Sequence, residues 1–181
     1  DAIRVEVQPD DATWSTSDGR HPAVRWFAGV DTGFAIGPVA TDARTGEILD
    51  AAVAIPEIWA RGDRRVIRED LNTASLWPAF DAYKTAAGLD PKACTFAIDA
   101  LAEVEFGLDL LAARGDFAAD GPEAEAFVLA SLKEVTMHEV GHTLGLRHNY
   151  RASTVYPLER LSDPEFTAQN GLAGSVMDYQ P

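Results

Sequence analysis

Three of the four histidines of this chain fall within the eleven-residue segment HEVGHTLGLRH, which begins at His138. Residues four apart lie on one face of an α-helix, so His138 and His142 can point their imidazoles at a common centre. His148 lies six residues beyond His142 and reaches that centre only if the helix ends between them. Gly145 supplies the break, because glycine adopts the left-handed conformation at low cost. The segment therefore predicts a helix that ends near Leu144 and a third histidine folded back beside the first two.

Imidazoles at these spacings predict a zinc site with His138, His142 and His148 as its ligands. Three protein ligands leave a fourth position open to water, which distinguishes a hydrolytic zinc site from a structural site with four protein ligands. Glu139 is placed to accept a proton from that water as the general base without binding the metal itself. Unrelated polar histidines on an amphipathic helix are the alternative, and their number in one short segment argues against it. His21, in a Gly-Arg-His-Pro stretch typical of a loop, is assigned no role.

The pattern H-E-x-x-H-x-x-G-x-x-H followed downstream by a methionine turn resembles the signature of the metzincin zinc endopeptidases. The sequence SVMDY at residues 175–179 looks like that turn, and the resemblance implies that Met177 forms a hydrophobic floor beneath the metal. Tyr179 stands where astacins and serralysins carry a tyrosine that can reach the zinc. The resemblance therefore implies a second catalytic group, a phenol that stabilises the oxyanion. Simple packing is the alternative for both side chains.

A closer resemblance is to the metzincin module of large, poorly characterised bacterial zinc-dependent metalloproteases. It is carried by HEVGHTLGLRHN, which includes Asn149, and by GSVMDY, and it extends to VEVQPDDA and DARTGEILDA in the first third of the chain. It implies an α+β, metzincin-like fold with a mixed β-sheet, an active-site helix and a small irregular C-terminal subdomain. It also implies a secreted, periplasmic or cell-envelope location.

Length and composition are those of one soluble domain, because 181 residues with 46% apolar content suffice for a single core. We expect one catalytic domain over residues 1–181, with an N-terminal subdomain 1–148 and a C-terminal subdomain 149–181. Metzincins usually have a long helix near the start and another after the methionine turn. Neither pattern occurs here, so the resemblance implies a module truncated at both ends, or one in which the helices predicted between residues 70 and 114 replace the first helix.

Charge narrows the class of partner, because 15 basic against 29 acidic residues give a net charge of −14. Nucleic acids and anionic membranes require basic patches, so neither is an expected partner, and no apolar run approaches the roughly 18 residues of a membrane span. The expected partner is a peptide or protein substrate, and the sequence does not indicate an oligomeric state. The single cysteine, Cys94, excludes an internal disulfide. Its surroundings do not resemble the propeptide cysteine of matrix metalloproteases, and a buried thiol is predicted.

Hydrophobic patterns predict the secondary structure around this site. Strands are predicted at 3–7 and 24–27, a hairpin at 32–40 and 47–55, and helices at 70–87, 97–114 and from Pro122 to about Leu144. Residues 34–40 could be the sheet edge that holds an extended substrate. Asp120 is the predicted N-cap of the last helix. Its buried side is assigned to Val128, Leu132, Val135 and Val140, and its metal side to Phe127, Ser131 and Glu134.

The function predicted from these features is zinc-dependent endopeptidase activity, in which Glu139 takes a proton from an activated water and returns it to the leaving amine. Two alternatives stay open. One is a zinc amidase that acts on a small or cell-wall substrate, which a deep, closed pocket would favour. The other is a zinc-stabilised binding module without turnover, which the intact Glu139 argues against.

Overall fold

A computed structural model describes residues 4–27, 39–57, 94–115 and 121–179, together with the single positions 78, 82 and 85. These ranges form three strands, four α-helices and one 3₁₀ turn. The elements are β1 (Ala23–Phe27), β2 (Val39–Thr41), β3 (Ile48–Pro56), α1 (Phe96–Arg114), α2 (Pro122–Thr143), the 3₁₀ turn (Ala152–Thr154), α3 (Leu158–Leu161) and α4 (Pro164–Asn170). The predicted α+β class is therefore confirmed. No helix in the described part of the chain is long and apolar enough to span a membrane.

The sheet is small and mixed, with β3 between β1 and β2. β1 pairs with β3 in parallel, with Ala23 opposite Ala52, whereas β2 pairs with β3 antiparallel. The hairpin turn between β2 and β3 is closed by a hydrogen bond from Asp42 N to the Glu47 oxygen at 2.9 Å, and Gly46 takes a φ of 75°. The hairpin and the strand predicted at 24–27 are confirmed. β2 lies at an edge of the described sheet, but residues 32–38 fall outside the described ranges.

The strand predicted at residues 3–7 is wrong over its described part. Residues 4–9 have no regular secondary structure, and Val5 and Val7 are 85% and 93% exposed. Alternation of apolar and polar residues stabilises a strand only where one face is buried against other groups. Here both valines face solvent, so the alternating pattern does not stabilise a strand.

One hydrophobic cluster joins the sheet to both long helices. Val53 and Ile55, two positions apart on β3, face the same way and pack with Phe96 of α1 and Val135 of α2. Along α2, intervals of three and four place five buried residues in one stripe: Ala124, Val128, Ser131, Val135 and His138. Glu139, Gly141 and Thr143 are also buried near the end of the helix. Ser131 of the predicted metal side therefore shares its face with Val128 and Val135. The buried side predicted for this helix is confirmed, since Val128 and Val135 are buried and Leu132 and Val140 pack against the cluster. Its separation from a metal side is wrong, because the metal histidine continues the core stripe.

The ends of the helices deviate slightly from prediction. α2 has Gly121 as its N-cap and Pro122 in its first turn, whereas Asp120, the predicted cap, lies outside the described residues. α1 begins one residue earlier than predicted and ends, as predicted, at Gly115 with a φ of 74°. Of the helix predicted at 70–87, positions 78, 82 and 85 are described and are helical. The division into subdomains at residue 148 stays a prediction.

Candidate metal centre

The last turn of α2 ends in a way that returns the chain toward the helix. Gly145 has a φ of 84° and donates its N–H to the His142 carbonyl at 2.9 Å, while the Leu146 N–H bonds to the Gly141 carbonyl at 3.0 Å. This pair of hydrogen bonds is the Schellman motif, which satisfies the last carbonyls of a helix and reverses the chain. The predicted break at Gly145 is confirmed, with the helix ending one residue earlier than expected. The reversal brings His148 back beside the helix.

The three predicted histidines converge. The Nε2 atoms of His142 and His148 are 3.2 Å apart, and the ring centroid of His138 lies 4.9 Å from that of His142 and 5.3 Å from that of His148. Each Nδ1 atom points away from this centre to an oxygen acceptor or hydroxyl. The partners are the Val176 carbonyl for His138 at 2.7 Å, the Leu146 carbonyl for His142 at 3.1 Å and the Tyr150 hydroxyl for His148 at 3.4 Å.

These outer hydrogen bonds fix which nitrogen faces inward with a lone pair. A carbonyl oxygen can only accept, so in the neutral imidazoles of His138 and His142 the proton sits on Nδ1. Both Nε2 atoms therefore direct lone pairs at the common centre, as metal-binding histidines do when a carbonyl orients the outer nitrogen. The arrangement fits a zinc ion, and His138, His142 and His148 are the residues that would hold it.

Burial lowers the pKa of two of these imidazoles, those of His138 and His148. His138 is fully buried, and desolvation lowers its pKa to about 4, an effect that the neighbouring histidines increase. Desolvation and His142 also lower the pKa of His148. A histidine must be deprotonated to bind zinc, so both are ready ligands at neutral pH.

The floor of the site is the turn at residues 175–179. Met177 is 2% exposed and packs so tightly beneath the helix that a Cβ on Gly141 would overlap its sulfur. The Met177 carbonyl accepts a hydrogen bond from Asn149 N at 2.9 Å, and the Val176 carbonyl holds His138. The turn therefore braces two of the histidine-bearing segments from below, at the place that the resemblance implied for Met177.

Tyr179 lies beside the three imidazoles. Its hydroxyl is 3.5 Å from His148 Nε2, and it accepts a hydrogen bond from Thr95 N at 3.2 Å. Burial raises the pKa of this phenol, so the hydroxyl keeps its proton and can donate it in a hydrogen bond. Glu139 is 1% exposed, and its charge acts on the nearby Cys94 thiol. The structure thus brings all five predicted site residues into one region.

The first residue of α1 and the residues just before it supply side chains that the sequence did not assign to the site. Phe96 is buried and stacks on the His138 ring, with centroids 4.0 Å apart and planes 12° from parallel. Cys94 lies among the imidazoles, with its Sγ 3.4 Å from His138 Nε2 and 3.2 Å from His148 Nε2. Burial and the charge of Glu139 raise the pKa of the thiol to about 11.

The prediction of a buried thiol at Cys94 is therefore only partly right. Cys94 is half-buried and packs against the core, but it also forms a four-residue cluster with the three histidines. Tyr150 was likewise not assigned a role, although its hydroxyl lies next to His148. Its place directly after the His-Asn pair is the sole sequence signal for that contact. His21, far from this cluster in sequence, stacks on Trp14 with centroids 4.2 Å apart.

The comparisons with known proteins agree with this geometry. Residues 120–181 match the model of a protein family described as Met-zincin. No curated protein and no solved structure matches the chain. The matched residues contain α2, the three histidines and the methionine turn, and they exclude Cys94. Residues 120–181 are therefore similar to a metzincin-type zinc metalloprotease module, within a chain whose fold is α+β.

Proposed function

We propose that this protein is a zinc-dependent endopeptidase in which His138, His142 and His148 hold the metal and Glu139 is the general base. One observation carries the proposal: three imidazoles converge while their outer nitrogens are held by two carbonyls and a hydroxyl. This is the arrangement that a metal ion requires of its histidine ligands. The match of residues 120–181 to Met-zincin supports the same class of chemistry.

Zinc, when bound, polarises the scissile carbonyl and lowers the pKa of an adjacent water molecule toward about 7. The Glu139 carboxylate then accepts the proton of that water and delivers it to the leaving amine. The Tyr179 hydroxyl, beside His148 Nε2 and still protonated, donates a hydrogen bond to the oxyanion that develops. Phe96 stacks on one face of the His138 ring, which fixes the orientation of the ring and excludes water from that face.

The proposed substrate is a peptide or protein that binds in extended form. β2 is short, antiparallel to β3 and at an edge of the described sheet, so it has hydrogen-bonding groups available for an added strand. A secreted or cell-envelope location is part of the same proposal and rests on the resemblance alone.

The test is to compare Glu139→Gln with wild type in zinc content and in cleavage of a mixed peptide library. Both should contain about one zinc, while the variant should lose about 10²- to 10⁴-fold in cleavage rate, the usual contribution of a general base. Glu134→Gln, on the same helix and outside the histidine cluster, is the matched control and should cleave like wild type. Glu139→Gln with a tenth or more of the wild-type rate would contradict the assignment of the base.

A second candidate, a zinc-stabilised module without turnover, is favoured by one observation. Cys94 offers a fourth protein ligand, and zinc sites with four protein ligands are usually structural. Under this alternative zinc removal unfolds the protein, and neither wild type nor a variant without the thiol cleaves any peptide. No observation favours the amidase alternative.

A further inference from the structure

We propose that Cys94 is a fourth zinc ligand that closes the resting site, so that the enzyme becomes active only when this thiolate leaves the metal. The proposal rests on the proposed zinc site and extends it to a residue outside the segment that matches Met-zincin. It concerns regulation, because a site with four protein ligands has no position for water.

The interatomic distances carry the proposal. A tetrahedral zinc with Zn–N bonds of about 2.1 Å and a Zn–S bond of about 2.3 Å separates two nitrogens by about 3.4 Å and a nitrogen from the sulfur by about 3.6 Å. The corresponding distances are 3.2 Å between His142 and His148, 3.4 Å between Cys94 and His138, and 3.2 Å between Cys94 and His148. All four ligand atoms lie within 4.8 Å of one another. A single ion can therefore contact three nitrogens and the sulfur after small adjustments.

The position of Cys94 is set by its neighbours in the chain. Phe96, two residues later, is held in the core and stacks on His138, while Thr95 N bonds to the Tyr179 hydroxyl at 3.2 Å. Both contacts hold the chain directly after Cys94. Residues 94–96, which we call the strap, therefore lie against the centre and lead into α1, whose first residue is Phe96.

Ligand exchange at this strap conserves atoms and charge. When Cys94 binds zinc, its thiol gives up a proton to solvent, and when a water molecule replaces it, the released thiolate takes a proton back. The Tyr179 hydroxyl is 3.6 Å from the sulfur and can hydrogen-bond either to the thiolate or to the oxyanion of a substrate, but not to both at full strength. The strap and the substrate thus compete for the metal and for the phenol.

The experiment replaces zinc by Co²⁺ in the full chain and records the absorption spectrum, because a thiolate bound to Co²⁺ gives a charge-transfer band in the near ultraviolet. Cys94 is the single cysteine of the chain, so such a band can have no other source within the protein. The wild type should show the band and Cys94→Ala should lack it. Zinc should also protect the wild-type thiol from a thiol reagent, a measurement that needs no variant.

Measurements of zinc affinity and peptide cleavage test the regulatory part of the proposal. Cys94→Ala should bind zinc at least about tenfold more weakly, since loss of even an outer partner of a ligand costs 10- to 100-fold. It should also cleave peptides faster than wild type at saturating zinc. A cobalt protein without the band, with a thiol as reactive as in the metal-free protein, would overturn the proposal and leave the proposed function standing. A band in the wild type with no cleavage by either form would uphold the ligand and refute the endopeptidase.

Discussion

Replacement of Gly145 by alanine separates the stability of the turn from its role in metal binding. Gly145 has a φ of 84°, and a Cβ there would meet no heavy atom within 4 Å, so the effect of the methyl group is backbone strain alone. A left-handed conformation costs a non-glycine residue about 1–2 kcal/mol. Without metal the exposed turn can relax and release that strain, whereas zinc forces His148 back and restores it. The zinc affinity of Gly145→Ala should therefore fall by about 5- to 30-fold, since 1.4 kcal/mol corresponds to a factor of ten.

Gly115→Ala is the matched control, because Gly115 also ends a helix with a φ of 74° and has open space around its Cβ position. Gly115→Ala should lose up to about 1–2 kcal/mol of unfolding free energy in urea. Its zinc affinity, measured by competition with a chromophoric chelator, should stay at the wild-type value. Equal zinc affinities of Gly145→Ala and Gly115→Ala would refute the idea that this turn delivers the third ligand.

Three further predictions concern the floor, the phenol and the buried imidazole. Gly141→Ala should destabilise the protein by about 1–3 kcal/mol through overlap with the Met177 sulfur, and a double variant with Met177→Ala should recover part of that loss in urea unfolding. Tyr179→Phe should bind zinc within about twofold of wild type yet lose about 10²-fold in kcat, if its hydroxyl serves the oxyanion; an unchanged kcat would assign it to packing. His138 has a lowered pKa of about 4, so the unfolded metal-free chain binds more protons between pH 6.5 and 4. Unfolding free energy should therefore fall as the pH drops through this window, by less in His138→Asn, and an equal slope in both would contradict the assignment.

The part of the site that lies within a few helical turns could be predicted from the local sequence. His138, His142, Gly145 and His148 act through spacing and one backbone reversal, both of which are local properties. The hairpin before β3 was predictable for the same reason, since residues 42–46 form a turn by their own hydrogen bonds.

Contacts made by tertiary packing were not predictable from pattern. Cys94 reaches His138 across 44 positions because Phe96 packs with β3 and α2, and a single cysteine gives no spacing from which to infer that contact. The faces of α2 were separated incorrectly because a buried histidine was counted as polar, although it lies in the same stripe as Val135. At residues 4–7 the sequence alternates as a strand would, but Val5 and Val7 are exposed and pack on no other surface of the described residues.

Because Phe96 stacks on His138, this imidazole contacts both the hydrophobic core and the proposed metal site. The flat face of His138 packs on Phe96, which belongs to the same hydrophobic cluster as Val135, and its Nε2 atom points to the proposed zinc site. Under the zinc binding proposed above, zinc supply and folding would be thermodynamically linked, because an ion that binds only the folded chain adds a stabilisation that grows with the logarithm of its concentration. An environment poor in zinc would then lower the folded fraction of this protein as well as its activity. A destabilising substitution in the core would raise the zinc concentration that is needed to keep the chain folded.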